Sequence, residues 1–499
     1  MNGLVLGIDC STTGAKCIAW DLQGRAVAQG RSDIPLSIPQ PGWGEQDPEH
    51  WWSAVVHAVR DCLRTVDPGS IAALSITHQR ESFALLDAHD DAVRPAMLWL
   101  DARAGAQVDR VGTARIHEVT GKPPNPTPAL YKLHWLAEHE PESLALTAHV
   151  VDVHAYLVRR LTGEWVTSIA SADPLGIVDL VASDYSDEIL AGIGLDRSVL
   201  PRLVEPGAPV AVLTEAAALS LGLPRKVLVV AGAGDGQSAG LGAGVCGEGD
   251  AYLNLGTGLV SGCFGATFRP HPSYRAMSGA IPGTVSNEMF VGAGTFMVTW
   301  FLKEIAAGEP AGVVREDWWE QQAATVPEGA EGLFVVPYWN GQLTPFWDHR
   351  ARGAMVGFGG VHTRAHIYRA VLEGIAFELR WCLEQAEANF PAPVADFVAM
   401  GGGARSDLWC RIFADVLQRP VVLAGHDEAT ALGVGILAAV GAGLHPDIAA
   451  AVAAMTRRGR RYEPDPARVL RYAELFGAYR EIYPALRPVY PAIAEVAHV

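Results

Sequence analysis

The sequence predicts an α/β protein built from two large domains. Three observations carry that reading. The chain has 499 residues, and a single hydrophobic core stops growing at about 250–300. Its C-terminal half alternates short apolar runs with helical stretches, the pattern of an α/β protein. A strand, a turn of small residues and a return strand also occur early in each half, which suggests a duplicated architecture.

The elements follow in order. Residues 4–8 read as a buried strand, 10–14 as a turn rich in hydroxyls, 16–20 as the return strand and 21–24 as the next turn. Asp47 and Pro48 start a helix, because Asp is a good N-cap and Pro suits the first helical position. Trp52, Val55, Val56, Val59 and Leu63 follow at helical spacing. Residues 72–76 form a strand that ends in His78, Gln79, Arg80 and Glu81. Residues 227–230 form another, running into a Gly- and Ala-rich stretch that ends at Asp235. Strands 251–255 and 259–263 flank a turn at residues 256–258. The glycine-rich run 242–249 is the natural boundary, dividing the chain into 1–245 and 246–499.

Beyond it come a strand at 333–337 and a long helix from Thr363 to about residue 390. Ile367, Val371, Ile375 and Leu379 share one face of that helix. A strand at 397–400 ends in three glycines. A helix over 407–417, a strand at 421–423 and a small-residue helix from about Thr430 complete the series.

Composition narrows the function. Hydrophobic residues make up 49% and charged residues 19% of the chain, an ordinary soluble balance. With 38 Lys and Arg against 55 Asp and Glu, the formal charge is −17. No basic block interrupts it, which argues against nucleic acid or an anionic membrane as partner. Any phosphate must then be held by backbone N–H groups, a metal or a few cations. The seven cysteines (Cys10, Cys17, Cys62, Cys246, Cys263, Cys382 and Cys410) are scattered and odd in number. They read as small buried thiols in a reducing compartment. The first residues have neither a basic nor a long apolar leader, and the apolar stretch 429–444 is too short to span a bilayer. The expectation is a cytoplasmic protein, and the sequence allows a homodimer.

Three small-residue turns follow strands: residues 9–14, 256–258 and 401–403. Such turns expose N–H groups and let a phosphate come close. None matches the P-loop or the dinucleotide fingerprint; each taken singly reads first as an ordinary tight turn, and it is three in one chain, two of them with acids alongside, that point to function. Asp9 ends a buried strand, where a carboxylate either caps the turn or positions Mg²⁺ beside a phosphate. Asp235 lies among Gly and Ala after an apolar strand, and a charge there is costly unless it has a task. As a base it would accept the proton of an attacking hydroxyl. Gln79, Arg80 and Glu81 offer donors and acceptors to a polyhydroxylated ligand, and Trp99 and Asp101 add an aromatic wall and a further polar group. The plain alternative for these is a surface ion pair and a core Trp.

These residues resemble the FGGY carbohydrate kinases, a family that includes glycerol kinase, xylulokinase, ribulokinase and gluconokinase. Gly7 to Gly14 looks like the family's first phosphate segment, Gly234 to Gln237 like the segment with its catalytic aspartate, and Leu255 to Gly258 like its second phosphate turn. The stretch with Pro345, Asp348, Arg352, Glu373 and Phe377 is similar to the central C-terminal signature, and Gly401 to Asp407 to the adenosine-contacting turn. The resemblance covers nearly the whole chain. It implies two actin-like (ribonuclease H-like) domains with ATP in the cleft between them.

Carried over, Asp235 is the base and Asp9 lies close to Mg²⁺. Ser11, Thr12, Thr13, Gly256 and Thr257 contact phosphates, and Gly402 and Gly403 lie near the adenosine. Gln79, Arg80, Glu81, Trp99 and Asp101 fall on the sugar side. The run 79–82 resembles glycerol kinases, whereas 99–103 resembles xylulokinases. Thr127 stands where glycerol kinases place an aromatic residue. The resemblance points to a ketopentose such as xylulose, with a polyol such as glycerol, or a tetrulose, as the alternative substrate. A non-catalytic sugar-binding regulator on the same fold is the reading from another class, and a chaperone-like or filament-forming ATPase is a third.

Overall fold

The computed structural model describes residues 3–339, 341–390 and 392–497. Two sheets organise them. In the first, β1 (Leu4–Cys10), β2 (Gly14–Trp20) and β3 (Ala26–Asp33) form an antiparallel meander, and β4 (Ile71–His78) lies parallel to β1. β5 (Pro209–Val212) and β6 (Leu228–Gly234) complete it, β6 parallel to β4 and β5 antiparallel on the outer edge. The order is β5-β6-β4-β1-β2-β3.

The second sheet contains β7 (Asp250–Leu255), β8 (Leu259–Gly265), β9 (Arg275–Ser278), β10 (Val285–Val291), β11 (Asp396–Met400), β12 (Val421–Ala424) and β13 (Arg458–Tyr462). Its order is β9-β10-β8-β7-β11-β12-β13. Strands β10, β8 and β7 are antiparallel, β11 and β12 run parallel to β7, and β13 closes antiparallel. Three antiparallel strands, two parallel ones and an antiparallel edge thus recur in the same sequence of directions, with β9 added at one side. The repeated opening in the sequence is the start of a repeated sheet.

Burial explains which strands were easy to read. The central β1 is covered on both faces and is apolar throughout its middle. The edge strand β3 (AVAQGRSD) is mostly exposed, so its sequence has no apolar run to mark it.

Five helices matter for the site. α1 (Pro48–Cys62) starts at Asp47, whose side chain accepts from the Glu49 N–H, and it buries Trp51, Val55 and Val59. α2 (Asp235–Gly242) follows β6. α3 (Arg364–Ala386) ends four residues before its predicted limit and passes into a short 3₁₀ turn. α4 (Asp407–Leu417) follows the glycine turn, and α5 (Ala429–Gly441) follows β12.

Helices α2 and α5 occupy equivalent places after equivalent strands, and they pack against each other between the sheets. Glycine makes this approach achievable. A Cβ on Gly242 would lie 1.8 Å from the Ala429 carbonyl oxygen, and one on Gly433 would lie 2.0 Å from that of Ser238. Helix α5 also packs on β1 and β4, with Gly7 of β1 facing the Ala431 carbonyl at a distance that admits no Cβ. The start of α2, which carries Asp235, is therefore fixed by helix packing from the other half of the chain.

No helix among the described residues is long and apolar enough to cross a membrane. All seven cysteines are free, with Cys246 exposed and the other six buried.

Candidate active site

Strand register brings the predicted residues to one edge. Asp9 pairs with Thr77 on neighbouring β4, and His78 pairs with Gly234 on β6. The chain leaves these strand ends as the turn after Asp9, the run Gln79–Glu81 and the helix that starts at Asp235. The turn between β7 and β8 faces them from the second sheet. Between them lies a cavity of about 230 Å³ whose walls include Arg80, Glu81, Trp99, Asp235, Thr257 and Arg275.

Asp235 is the first residue of α2. Its Oδ1 forms an ion pair with Arg80 Nε at 2.7 Å and accepts from the Gly236 N–H at 2.7 Å. Oδ2 accepts no hydrogen bond among the described residues, and the side chain is 44% exposed and lines the cavity. The carboxylate is thus held at Oδ1, at a helix N-terminus that favours negative charge.

Arg80 has a second engagement: its Nη1 donates to both oxygens of Glu288 at 2.9 Å. Glu288 also pairs with Arg275 Nη2 at 3.1 Å and accepts from the Tyr252 hydroxyl. Arg275 Nη1 in turn donates to Glu81 Oε1 at 2.9 Å, where the Thr127 hydroxyl donates as well, at 3.0 Å. Charge therefore alternates along Asp235, Arg80, Glu288, Arg275 and Glu81. Burial works against the charge on Arg80, but Glu288, Asp235 and Glu81 outweigh it and raise its pKa. Burial would raise the Glu288 pKa, but Arg80 and Arg275 bring it below the ordinary value. Glu81 itself has a φ of 64°, a left-handed conformation that costs a non-glycine residue of order 1 kcal/mol or more and that gathers at functional sites.

The first small turn is tied to the cavity by Trp99, whose indole N–H donates to the Thr12 hydroxyl at 2.9 Å. The Ser11 hydroxyl turns inward to the Gly14 carbonyl at 2.8 Å, and Thr13 is exposed. Asp9 lies just beneath. Its Oδ1 is buried without a partner, and burial together with the charges of Asp235 and Glu428, opposed by Lys16, pushes its pKa up to about 7. Lys16 lies opposite Asp9 on β2 and pairs with Glu428 at 2.7 Å.

The second small turn is buttressed from behind. The Gly256 carbonyl accepts from the Thr295 N–H at 2.8 Å and the Thr257 carbonyl from the Phe296 N–H at 3.2 Å. That support points Thr257 and Gly258 into the cavity opposite Asp235. The third turn begins at Gly401, whose φ is 85°. A Cβ on Gly402 would meet nothing within 4 Å, while Gly403 packs on Trp409. The turn thus leaves Gly402 open, at the start of a 3₁₀ turn (Gly402–Arg405) that leads into α4, while Gly403 is buried.

Two of the residues expected on the sugar side do not line the cavity. The Gln79 amide donates to Gln46 at 3.0 Å and accepts from Ser82 at 3.2 Å, and Ser82 accepts in turn from the Trp99 N–H. Gln79 therefore acts behind Trp99. Asp101 is fully buried, with its oxygens taken by Arg103 Nε at 2.9 Å and the Gly44 N–H at 2.7 Å. It holds the loop at Gly44 and does not face the cavity. Sequence reasoning missed Arg275, Glu288, Phe290, Val260 and Lys16. Of these, Lys16 carried a signal, as a cation directly across a hairpin from Asp9.

The chain is similar to known proteins along nearly its whole length. The N-terminal domain of the FGGY family of carbohydrate kinases matches residues 4–242, and the C-terminal domain of the same family matches residues 251–442. The chain is 28% identical to a xylulose kinase of Bacillus subtilis (strain 168), over 95% of this chain and 96% of that protein. It is 31% identical to a glycerol kinase of Paracidovorax citrulli (strain AAC00-1), over 92% and 95%. Among solved structures, a gluconate kinase from Lactobacillus acidophilus superposes with a TM-score of 0.93 at 27% identity, covering 99% of this chain and all of that one. The sheets repeat in the actin-like manner, the cavity joins Asp235 to the small turn at Thr257, and the family matches both halves: the chain belongs to the FGGY family of carbohydrate kinases.

Proposed function

We propose that the protein transfers the terminal phosphoryl group of Mg-ATP to a hydroxyl of a neutral ketopentose such as xylulose, with Asp235 as the base. One observation carries the reading: Asp235 and the Thr257 turn face each other across one cavity. Phosphoryl transfer needs little covalent help from the protein. It needs positioning, a proton acceptor and stabilisation of spread negative charge. Asp235 Oδ2 takes the proton of the acceptor hydroxyl. Ser11, Thr12, Thr13, Gly256 and Thr257 offer backbone and hydroxyl donors to the phosphates. Gly402 and Gly403 form the floor for the adenosine. Closure of the two halves excludes water, which limits ATP hydrolysis.

The residues fit a magnesium ion. Mg²⁺ keeps several waters and takes one or two carboxylates plus substrate phosphates. The partnerless Asp9 oxygen beside a phosphate turn is such a carboxylate. Bound there with the nucleotide, the ion would neutralise charge developing on the transferred group.

Charge in the cavity supports a neutral acceptor. Two guanidiniums, Arg80 and Arg275, are matched by three carboxylates, Asp235, Glu288 and Glu81. Neither cation is free for a sugar acid. Thr127 and Val260 in the walls leave room beyond a three-carbon polyol. The relationship to a xylulose kinase over nearly all of both chains supports a ketopentose. The seven free cysteines support a reducing, cytoplasmic setting.

The test is ADP release with Mg-ATP and D-xylulose, D- and L-ribulose, erythrulose, gluconate, glycerol or erythritol, against a blank without sugar. Saturable turnover with a ketopentose is expected. Turnover confined to glycerol, erythritol or gluconate would overturn the substrate assignment, and no stimulation by any acceptor would favour a non-catalytic sugar-binding role.

A further inference from the structure

We propose that Glu288 is a positioning residue for phosphoryl transfer: a carboxylate from the second sheet that holds the Arg80 guanidinium beside Asp235 Oδ1, so that no hydrogen bond from it takes Oδ2. The proposal rests on the reading of Asp235 as the base.

Glu288 sits on β10 and is wholly buried. A carboxylate has about four lone-pair sites; its donors are Arg80 Nη1, Arg275 Nε and the Tyr252 hydroxyl, and Arg275 Nη2 adds an ionic contact at 3.1 Å. Burying a charge is costly, and full pairing of this kind offsets the cost. Yet Glu288 does not line the cavity, whereas both of its arginines do. Its effect on the reaction must pass through them.

The geometry shows what that effect is. Arg80 reaches Asp235 through Nε at 2.7 Å, while Nη1 is drawn the other way by both oxygens of Glu288. The guanidinium is planar and its donors form a fixed fork, so anchoring one end sets the whole plane. Asp235 keeps Oδ2 for the acceptor hydroxyl. Without the negative charge of Glu288, the strongest remaining partner of Arg80 is Asp235, and a guanidinium favours gripping both oxygens of a carboxylate. That grip would cover the oxygen needed for the proton. Glycine at 236 belongs to the same device, because a Cβ there would lie 2.4 Å from Glu288 Oε1 and 2.7 Å from Arg80 Nη2. The backbone just after the base is pressed against the pair that orients it. Tyr252 and Arg275 come from the second sheet with Glu288, while Arg80, Glu81 and Asp235 extend from the first. The acceptor half of the site is therefore assembled from both halves of the chain.

A double-mutant cycle tests this on the full chain, with Mg-ATP and the best acceptor of the panel. Glu288→Gln is expected to lower kcat at least about tenfold, as small misplacement of reacting groups does, with ATP binding unchanged. In an Asp235→Asn background, where no base remains to be uncovered, the same change is expected to alter the residual rate less than about twofold. Glu288→Asp keeps the charge and should recover part of the loss. It also replaces Gln in the cycle if the Gln variant does not fold. A folded Glu288→Gln enzyme with kcat near wild type overturns the proposal, as does an equal loss in both backgrounds. Normal turnover of Asp235→Asn alone instead removes the base assignment, and this inference with it.

Discussion

Arg80 Nε lies 2.7 Å from Asp235 Oδ1, and Asp235 lines the cavity that also contains Thr257, with no hydrogen bond to its second carboxylate oxygen. The arginine holds the proposed base without enclosing it. Replacing Asp235 by Asn preserves shape and the Gly236 and Arg80 contacts at Oδ1 but removes the proton acceptor. Turnover should fall by about 10²–10⁴, the usual worth of a general base. Binding of ATP and sugar, followed by calorimetry, should persist. Turnover near wild type would show that the base is another group.

Helix packing sets where that base stands. Gly433 of α5 faces the Ser238 carbonyl of α2, with 2.0 Å between a hypothetical Cβ and the oxygen. Gly433→Val forces the helices apart. Overpacking of this kind costs about 1–3 kcal/mol, to be read from urea unfolding. Because α2 begins at Asp235, kcat should fall as well, although the substitution touches neither substrate. A variant with lower stability and unaltered kcat would show that α2 does not transmit the displacement.

How much was legible depended on where each residue's partners lie. Asp9 and Asp235 stand out in the sequence because a charge after an apolar strand among small residues has few uses. The glycine turns were equally visible. Helix α2 was not: Gly236, Gly240 and Gly242 give it low intrinsic propensity, and it exists because α5 packs on it. Asp101 misled for a local reason, since its partner Arg103 is two residues away and takes the carboxylate out of the cavity. Glu288 and Arg275 were invisible because Arg80 and Glu288 are 208 residues apart and Glu81 and Arg275 are 194 apart. Nothing in either strand separates them from ordinary charged strand residues. Pairing across two sheets is a property of the fold.

A buried acid away from the cavity gives a pH prediction. Glu378 on α3 accepts at Oε1 from the Tyr479 and Tyr338 hydroxyls at 2.6 and 2.8 Å. Burial, only partly opposed by these bonds, pushes its pKa from 4.5 to about 7. The folded state therefore keeps a proton that the unfolded state releases between those values. Stability from this group is present below the lower value and is lost as pH rises through the upper one. Gln at this position retains an acceptor oxygen and does not titrate. Glu378→Gln should match wild type in thermal stability near pH 4 and exceed it at pH 8, by an amount of order 3 kcal/mol at most. Equal stability of the two proteins across that range would show that Glu378 stays near its ordinary pKa.

Thr127 tests what the cavity admits. Its hydroxyl donates to Glu81 at 3.0 Å, and its small side chain forms one wall beside Trp99. A tyrosine there would occupy much of the 230 Å³ now open, while its own hydroxyl points past Glu81. Discrimination by steric volume in such pockets is worth about 10–200-fold. Thr127→Tyr should therefore raise KM for a ketopentose about tenfold or more and leave a three-carbon polyol or aldose the better acceptor, measured as the ratio of kcat/KM between the two. Asp235 and the phosphate turns are untouched, so ATP binding should be unaltered. If the five-carbon acceptor kept its kcat/KM in a folded variant, the sugar would lie on the Arg275 and Phe290 side of the cavity, away from Thr127.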